Sequence, residues 1–149
     1  MLRRKIYNLT IGVGAPIERS KCRLKFQPDY LAGVNTITRH DGRSIGVGPL
    51  TFTSSVLVPW RGEVLPWPVD RFEALGPAHF ESLLQLQPEL VILGSGRRLL
   101  FPAPALFACL IERRIGLETM DTAAACRTYN VLASEGRTVV AALMIEAAR

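Results

Sequence analysis

Apolar and polar residues alternate along residues 34–39 (VNTITR), and a period of two predicts a strand with one buried face. Asp41-Gly42 follows. Glycine accepts the positive φ that a tight turn requires, so residues 43–47 are expected to return as the second strand of a hairpin. Gly48-Pro49 marks another turn. Residues 51–58 (TFTSSVLV) are rich in β-formers and read as one third strand. Residues 59–68 (PWRGEVLPWP) carry three prolines, which lack the amide donor a central strand needs, so they predict a loop or at most a short edge strand. Trp60 and Trp67 are expected to pin that loop onto the core through their large buried area. Residues 78–86 (AHFESLLQL) place Phe80, Leu83, Leu84 and Leu86 on one helical face, with Pro88 as the stop.

The second half of the chain has a stronger rhythm. Residues 90–93 form a continuous apolar run, the mark of a strand buried on both faces. Gly94-Ser95-Gly96 follows at once. Residues 103–115 read as a helix with Leu106, Cys109, Leu110 and Ile111 inward and Glu112, Arg113 and Arg114 in water, stopped by Gly116. Residues 117–120 then make a short strand. A strand–helix–strand unit predicts two parallel strands joined by a right-handed crossover. Asp121 or Thr122 caps the next helix, which runs to about Ser134 and ends at Gly136. The last strand, residues 138–145 (TVVAALMI), is apolar enough to be central. The fold class is therefore α/β. No internal repeat or low-complexity run interrupts it.

Composition adds limits. The chain has 149 residues and a mass of 16.4 kDa, which suits one domain with a real core and no need of disulfides or metal. Apolar residues make up 48% and charged residues 21%, an ordinary globular balance. Three cysteines, Cys22, Cys109 and Cys126, have no ligand-like spacing, and His40 and His79 stand alone. A zinc site and other metal sites are not expected, no cofactor is implied, and a reduced cytoplasmic compartment fits. No apolar run approaches the roughly 18 residues of a membrane span.

The net charge of +5 changes meaning once it is located. Residues 1–25 hold Arg3, Arg4, Lys5, Arg19, Lys21, Arg23 and Lys25 against Glu18, leaving 11 of the 18 basic and 12 of the 13 acidic residues for the rest. The basic character belongs to an N-terminal tail, expected to be flexible, and the folded body at 26–149 carries no nucleic-acid footprint. Arg3-Arg4-Lys5 before residues 6–13 mimics a targeting segment, but Asn8 and Thr10 break the apolar run. These residues are read as a disordered leader outside the domain, or as residues upstream of the natural start, in preference to a targeting segment.

Candidate chemistry gathers in two places. Gly94, Ser95 and Gly96 lie where a strand turns toward a helix, and bare amides there can hold an anion. Arg97 and Arg98 could add a counter-charge. The pattern is not a dinucleotide or nucleotide loop, because the residue three beyond Gly96 is Leu99 and no lysine–hydroxyl pair follows. A tight turn that needs small residues is the plainer explanation of the glycines, and solvated surface charge that of Arg97 and Arg98. The second cluster holds Asp121, Thr122, Cys126, Arg127, Thr128, Tyr129 and Asn130. Asp121 fits a helix cap better than a base, and Cys126 has no histidine beside it, so no catalytic residue is assigned. Arg127, Tyr129 and Asn130 either bond to neighbouring loops or line a cleft. The ligand-binding candidates are Gly94, Ser95, Gly96, Arg97, Asp121, Thr122, Arg127, Thr128 and Asn130.

Gly94-Ser95-Gly96, Met120-Asp121-Thr122, Arg127-Thr128-Tyr129-Asn130 and Glu135-Gly136-Arg137 together form a signature. By it the chain resembles the MTH-nine-three-eight-like family, a domain of unknown function whose relatives include the mitochondrial assembly factor of respiratory complex I. Ser95 replaces the family's usual threonine and keeps the hydroxyl. The likeness runs over residues 26–145. It implies a layered α/β sandwich: a mixed central sheet with helices on one side and a small β-rich layer on the other. It implies no established activity and no accepted catalytic residues. The expectation is an accessory or assembly-type protein, not an enzyme, acting through protein contacts. The alternative is a binder of, or enzyme acting on, a small anionic ligand in a cleft near Gly94-Ser95-Gly96. A third reading is tail-driven attachment to nucleic acid or an acidic membrane. Self-association is left open.

Overall fold

The computed structural model describes residues 32–147. The expected N-terminal tail and the residues joining it to the domain lie outside that range. β1 (Ile37–His40), β2 (Ile45–Val47) and β3 (Leu50–Phe52) form a small antiparallel sheet in that order. The first turn is held by Asp41, whose Oδ1 accepts the amides of Arg43 at 2.9 Å and Ser44 at 2.7 Å. Those amides, with the Ser44 hydroxyl, draw the Asp41 carboxyl down to about 2. Gly42 supplies the positive φ, at 83°.

The strand expected over residues 51–58 is two strands in two sheets. β3 closes the small sheet, and β4 (Val56–Pro59) enters the large one. Thr53, Ser54 and Ser55 separate them, and short hydroxyl side chains compete with ladder bonding. Ser55 is buried, and its hydroxyl accepts the Ile145 amide at 2.9 Å. Beyond Pro59, which ends β4, the proline-rich stretch supplies β5 (Leu65–Pro66), an edge strand as expected. Trp60 donates its indole N–H to the Ala133 carbonyl at 3.0 Å, and Trp67 is 2% exposed, so both indoles hold this stretch on the body.

Three more strands complete the mixed five-stranded sheet. They are β6 (Leu90–Gly94), β7 (Gly116–Met120) and β8 (Val139–Leu143), and the strand order is β5-β4-β8-β6-β7. β6 runs parallel to both β7 and β8, and β4 runs antiparallel to β8. All five residues of β8 are buried, which is why its sequence shows no alternation.

The helices are α1 (Pro77–Glu81), α2 (Ala108–Glu112) and α3 (Thr122–Ser134). The helix expected over residues 103–115 is shorter than its pattern. Pro104–Phe107 is a 3-10 turn with three residues per turn, so the 3.6-residue phase is lost before α2 begins. Leu110 is fully buried, whereas Ile111 is 56% exposed and not inward as its spacing suggested. Gly116 is not the helix stop. Arg114 makes the exit in a left-handed conformation, and Gly116 opens β7, where a Cβ would stand 2.9 Å from Leu90 Cδ1.

Each face of the large sheet has its own core. On one face Val58, Ile92, Val139, Ala141 and Leu143 meet Ala125, Tyr129 and Ala133 of α3 together with Ile37, Ile45 and Val47 of the small sheet. On the other, Val91, Leu93, Val140 and Ala142 lie under Phe80, Leu83, Leu110 and Trp67. Helices therefore cover both faces, and α3 shares its side with the small sheet. That side must be filled jointly, because one 13-residue helix is too narrow to cover a five-stranded sheet alone.

Candidate functional site

β6 ends at Gly94, and α3 crosses directly above it. A Cβ on Gly94 would lie 3.0 Å from Thr122 Cα and Oγ1 and 3.1 Å from Ala125 Cβ, so the close approach of the helix requires glycine there. Ser95 is wholly buried. Its hydroxyl sits 2.7 Å from the Arg98 carbonyl and 3.0 Å from the Met120 carbonyl, and accepts the Leu100 amide at 3.0 Å. Gly96 has a φ of 100°. Its amide donates to Thr122 Oγ1 at 2.9 Å, and its carbonyl accepts the Thr122 amide at 2.8 Å. Thr122, 2% exposed, passes its own hydroxyl proton to the Met144 carbonyl at 2.9 Å. Asp121 accepts the Ala124 amide at 2.9 Å and caps α3.

The loop and the helix start are thus one hydrogen-bonded joint. Beside it lies a cleft of about 180 Å³ bordered by His40, Gly96, Arg97, Asp121, Thr122 and Glu146. Two carboxylates and one guanidinium face this space. Glu146 lies so near that a Cβ on Gly96 would meet its Oε1 at 2.5 Å.

Gly96, Arg97, Asp121 and Thr122 therefore share one cleft, and buried Gly94 and Ser95 do not border it. Arg127, Thr128 and Asn130 do not border it. Arg127 is exposed on α3. Asn130 Oδ1 accepts the Ile37 amide at 2.9 Å, and its Nδ2 donates to the Ile37 carbonyl at 2.7 Å, so the side chain pairs with β1 as a ladder residue would. Tyr129 is fully buried, with its hydroxyl 2.8 Å from the Pro59 carbonyl and 3.2 Å from that of Asn35. Burial pushes its phenol well above the ordinary range. This part of the signature joins α3 to the small sheet. Arg137 reaches Glu89 at 2.6 Å in an exposed ion pair.

Cys126 is buried, and loss of solvent raises its thiol to about 11. Native protein is expected to react with an aromatic disulfide reagent at half-exposed Cys109 and to spare Cys126 until urea unfolds it. Because the folded state favours the protonated thiol, its stabilising effect is complete below the ordinary thiol pKa. It falls away as pH rises from there toward 11. Urea midpoints for wild type and Cys126→Ala at pH 7 and pH 10 check the sign: the wild type should lose more than the variant over that interval.

Two features carry no sequence motif. One is a cleft of about 650 Å³ walled by Val34, Val47, Pro49, Leu50, Phe52 and Val64, at the open end of the first core. Leu50 stands at its rim, 56% exposed. The other is the loop after Gly96, where Leu99 is 50% and Phe101 73% exposed. Among the described residues, no group of three or more His, Cys, Asp and Glu could hold a metal ion, and no helix is long and apolar enough to cross a membrane.

Residues 37–144 match the family model described as "Protein of unknown function (DUF498/DUF598)". A curated relative, the bovine (Bos taurus) NADH dehydrogenase [ubiquinone] 1 alpha subcomplex assembly factor 3, is 32% identical over 99 residues, covering 65% of this chain and 53% of the relative. The chain spans about half the length of the curated relatives it matches. A crystal structure of a Bordetella parapertussis protein is 34% identical, covers 78% of this chain and 99% of its own, and superposes with a TM-score of 0.73. A Bordetella pertussis protein solved by NMR and described as a Mth938-like domain is 30% identical, covers 79% of this chain and 90% of its own, and has a TM-score of 0.68. With its signature, its two-sheet architecture and a family model over most of its length all in agreement, the chain belongs to the DUF498/DUF598 family and has the fold of a Mth938-like domain.

Proposed function

We propose that this protein is an accessory or assembly-type factor that works through contact with another protein. The observation that carries the reading is the match of its domain to relatives named as assembly factors of NADH dehydrogenase. The geometry supports it. Ser95, Thr122, Tyr129 and Asn130 turn their polar atoms into internal hydrogen bonds, as groups that build a joint do. The large apolar cleft meanwhile is bordered by exposed Leu50 of β3, one of the two outer strands of the small sheet. An outer strand beside an apolar cleft suits an added strand of a partner, with backbone bonds for affinity and the cleft for side chains. Among the described residues, Cys109 and Cys126 are free thiols, half-buried and buried, which fits work in a reducing, cytoplasmic compartment.

The anionic-ligand alternative is disfavoured at this site. The Gly96 amide already serves Thr122, and Asp121 and Glu146 would repel an anion in the small cleft. The test is photo-crosslinking in the native host with a benzophenone residue at position 50 and, as control, at exposed position 81. A discrete protein adduct from position 50 alone is expected, weakened by Phe52→Asp. No adduct at position 50 beyond that at position 81 would overturn the reading.

A further inference from the structure

We infer that the loop at residues 97–101 docks this protein on an anionic lipid surface, with Leu99 and Phe101 entering the interfacial layer and Arg97 and Arg98 among the headgroups. The loop combines a fixed backbone with exposed apolar side chains. Its base is held by the buried Ser95 hydroxyl, which bonds on both sides of Leu99, to the Arg98 carbonyl and the Leu100 amide. Pro102, also buried, anchors its far end. On this base Phe101 is 73% exposed and Leu99 50%, and neither borders either of the two clefts described above. Apolar side chains held outward by a well-bonded backbone mark an interaction site.

The chemistry of the flanks selects the surface. Arg97 and Arg98 are exposed, and the sequence holds no acidic residue between Glu89 and Glu112; in space Arg97 borders the small cleft that also holds Asp121 and Glu146, whereas Arg98 does not border it and is the cation clear of that cleft. A few inserted apolar side chains bind a bilayer weakly, and firm attachment takes a second signal such as a basic segment. This chain has one: seven basic residues against one acidic within residues 1–25. Thirty-one residues precede the described ones, enough at roughly 3.3 Å each to reach any side of a domain of this size. Charge spread over two separate segments matches a plane of phosphates better than the single acidic rim of a protein pocket.

The test is co-sedimentation of the full chain with vesicles of phosphatidylcholine alone and of phosphatidylcholine with about one third phosphatidylglycerol. Binding to the anionic vesicles only is expected, weakening as salt rises. Leu99→Ser with Phe101→Ser should lower the partition coefficient about tenfold or more, and Arg97→Gln with Arg98→Gln should lower it several-fold. All four side chains are at the surface, and an unchanged thermal melt confirms that the variants fold. Three outcomes would overturn the inference. One is no binding to anionic vesicles. Another is binding indifferent to the loop substitutions, which would leave the basic N-terminal residues acting alone. The last is sedimentation without lipid that the loop substitutions abolish, which would make the loop a protein contact. None of these bears on the crosslink at position 50, so the two readings fail separately.

Discussion

Tyr129→Ala is expected to lower folding stability by about 3–5 kcal/mol, the range for deleting a buried aromatic ring. That is a large share of the roughly 5–15 kcal/mol that holds a typical domain together. The ring is fully buried where three elements meet: α3, the end of β4 and the segment leading into β1. Its hydroxyl reaches the carbonyls of Pro59 and Asn35, so alanine leaves a cavity and also removes one of the Pro59 carbonyl's two side-chain donors, the other being Asn35 Nδ2 at 2.9 Å. Tyr129→Phe separates the two effects. It keeps the ring and should cost about 0.5–1.5 kcal/mol, because Asn35 Nδ2 still donates to the Pro59 carbonyl. Urea denaturation followed by circular dichroism measures both. Amide exchange should accelerate first in β1 and β2, because Asn130 pairs with Ile37 of β1 and Tyr129 reaches the Asn35 carbonyl just before it. An alanine variant that loses less than the phenylalanine variant would mean that the joint does not depend on this side chain.

The same joint shows how much of the structure is legible from sequence. β6 and β8 were legible because a strand buried on both faces must be apolar throughout, whatever its neighbours. The hairpin at Asp41-Gly42 and the cap at Asp121 were legible because their chemistry closes within three residues. The break at Thr53-Ser54-Ser55 was not. Residues on both sides favour strands, and local pattern does not report that one strand joins β2 while the other joins β8. Ile111 was misplaced for a related reason: helical phase is readable only while the chain stays α-helical, and here a 3-10 turn precedes α2. Asn130 is the sharpest case. It looks like a site residue because a polar amide on a packed helix invites a ligand, yet its partner is backbone 93 positions away. Nothing near Asn130 in the chain points to Ile37, and only the fold brings the two together.

Thr122→Val is expected to cost about 2–4 kcal/mol although it changes the shape of the side chain very little. Valine fills the same space but has no hydroxyl, and two buried groups lose their partner at once: the Gly96 amide and the Met144 carbonyl. An unsatisfied buried polar group costs about 1–3 kcal/mol. The glycines leave little room for a compensating shift. At Gly94 the helix backbone is already at the limit of approach, and Gly96 is held at a φ of 100° between Thr122 and Glu146. Water has no evident entry either, because Thr122 is 2% exposed. Thr122→Ser keeps the hydroxyl and loses one methyl group, so it should cost only about 1 kcal/mol. The order serine above valine, read from urea midpoints, is the result that matters. If threonine were there to fill space, valine would be the milder change. If its hydroxyl clamps the end of β6 to the residues after β8, serine will be. The clamp also sets the shape of the loop at residues 97–101, since Ser95 and Gly96 form its base. The valine variant should therefore broaden the backbone amide resonances of that loop, which the serine variant should leave sharp.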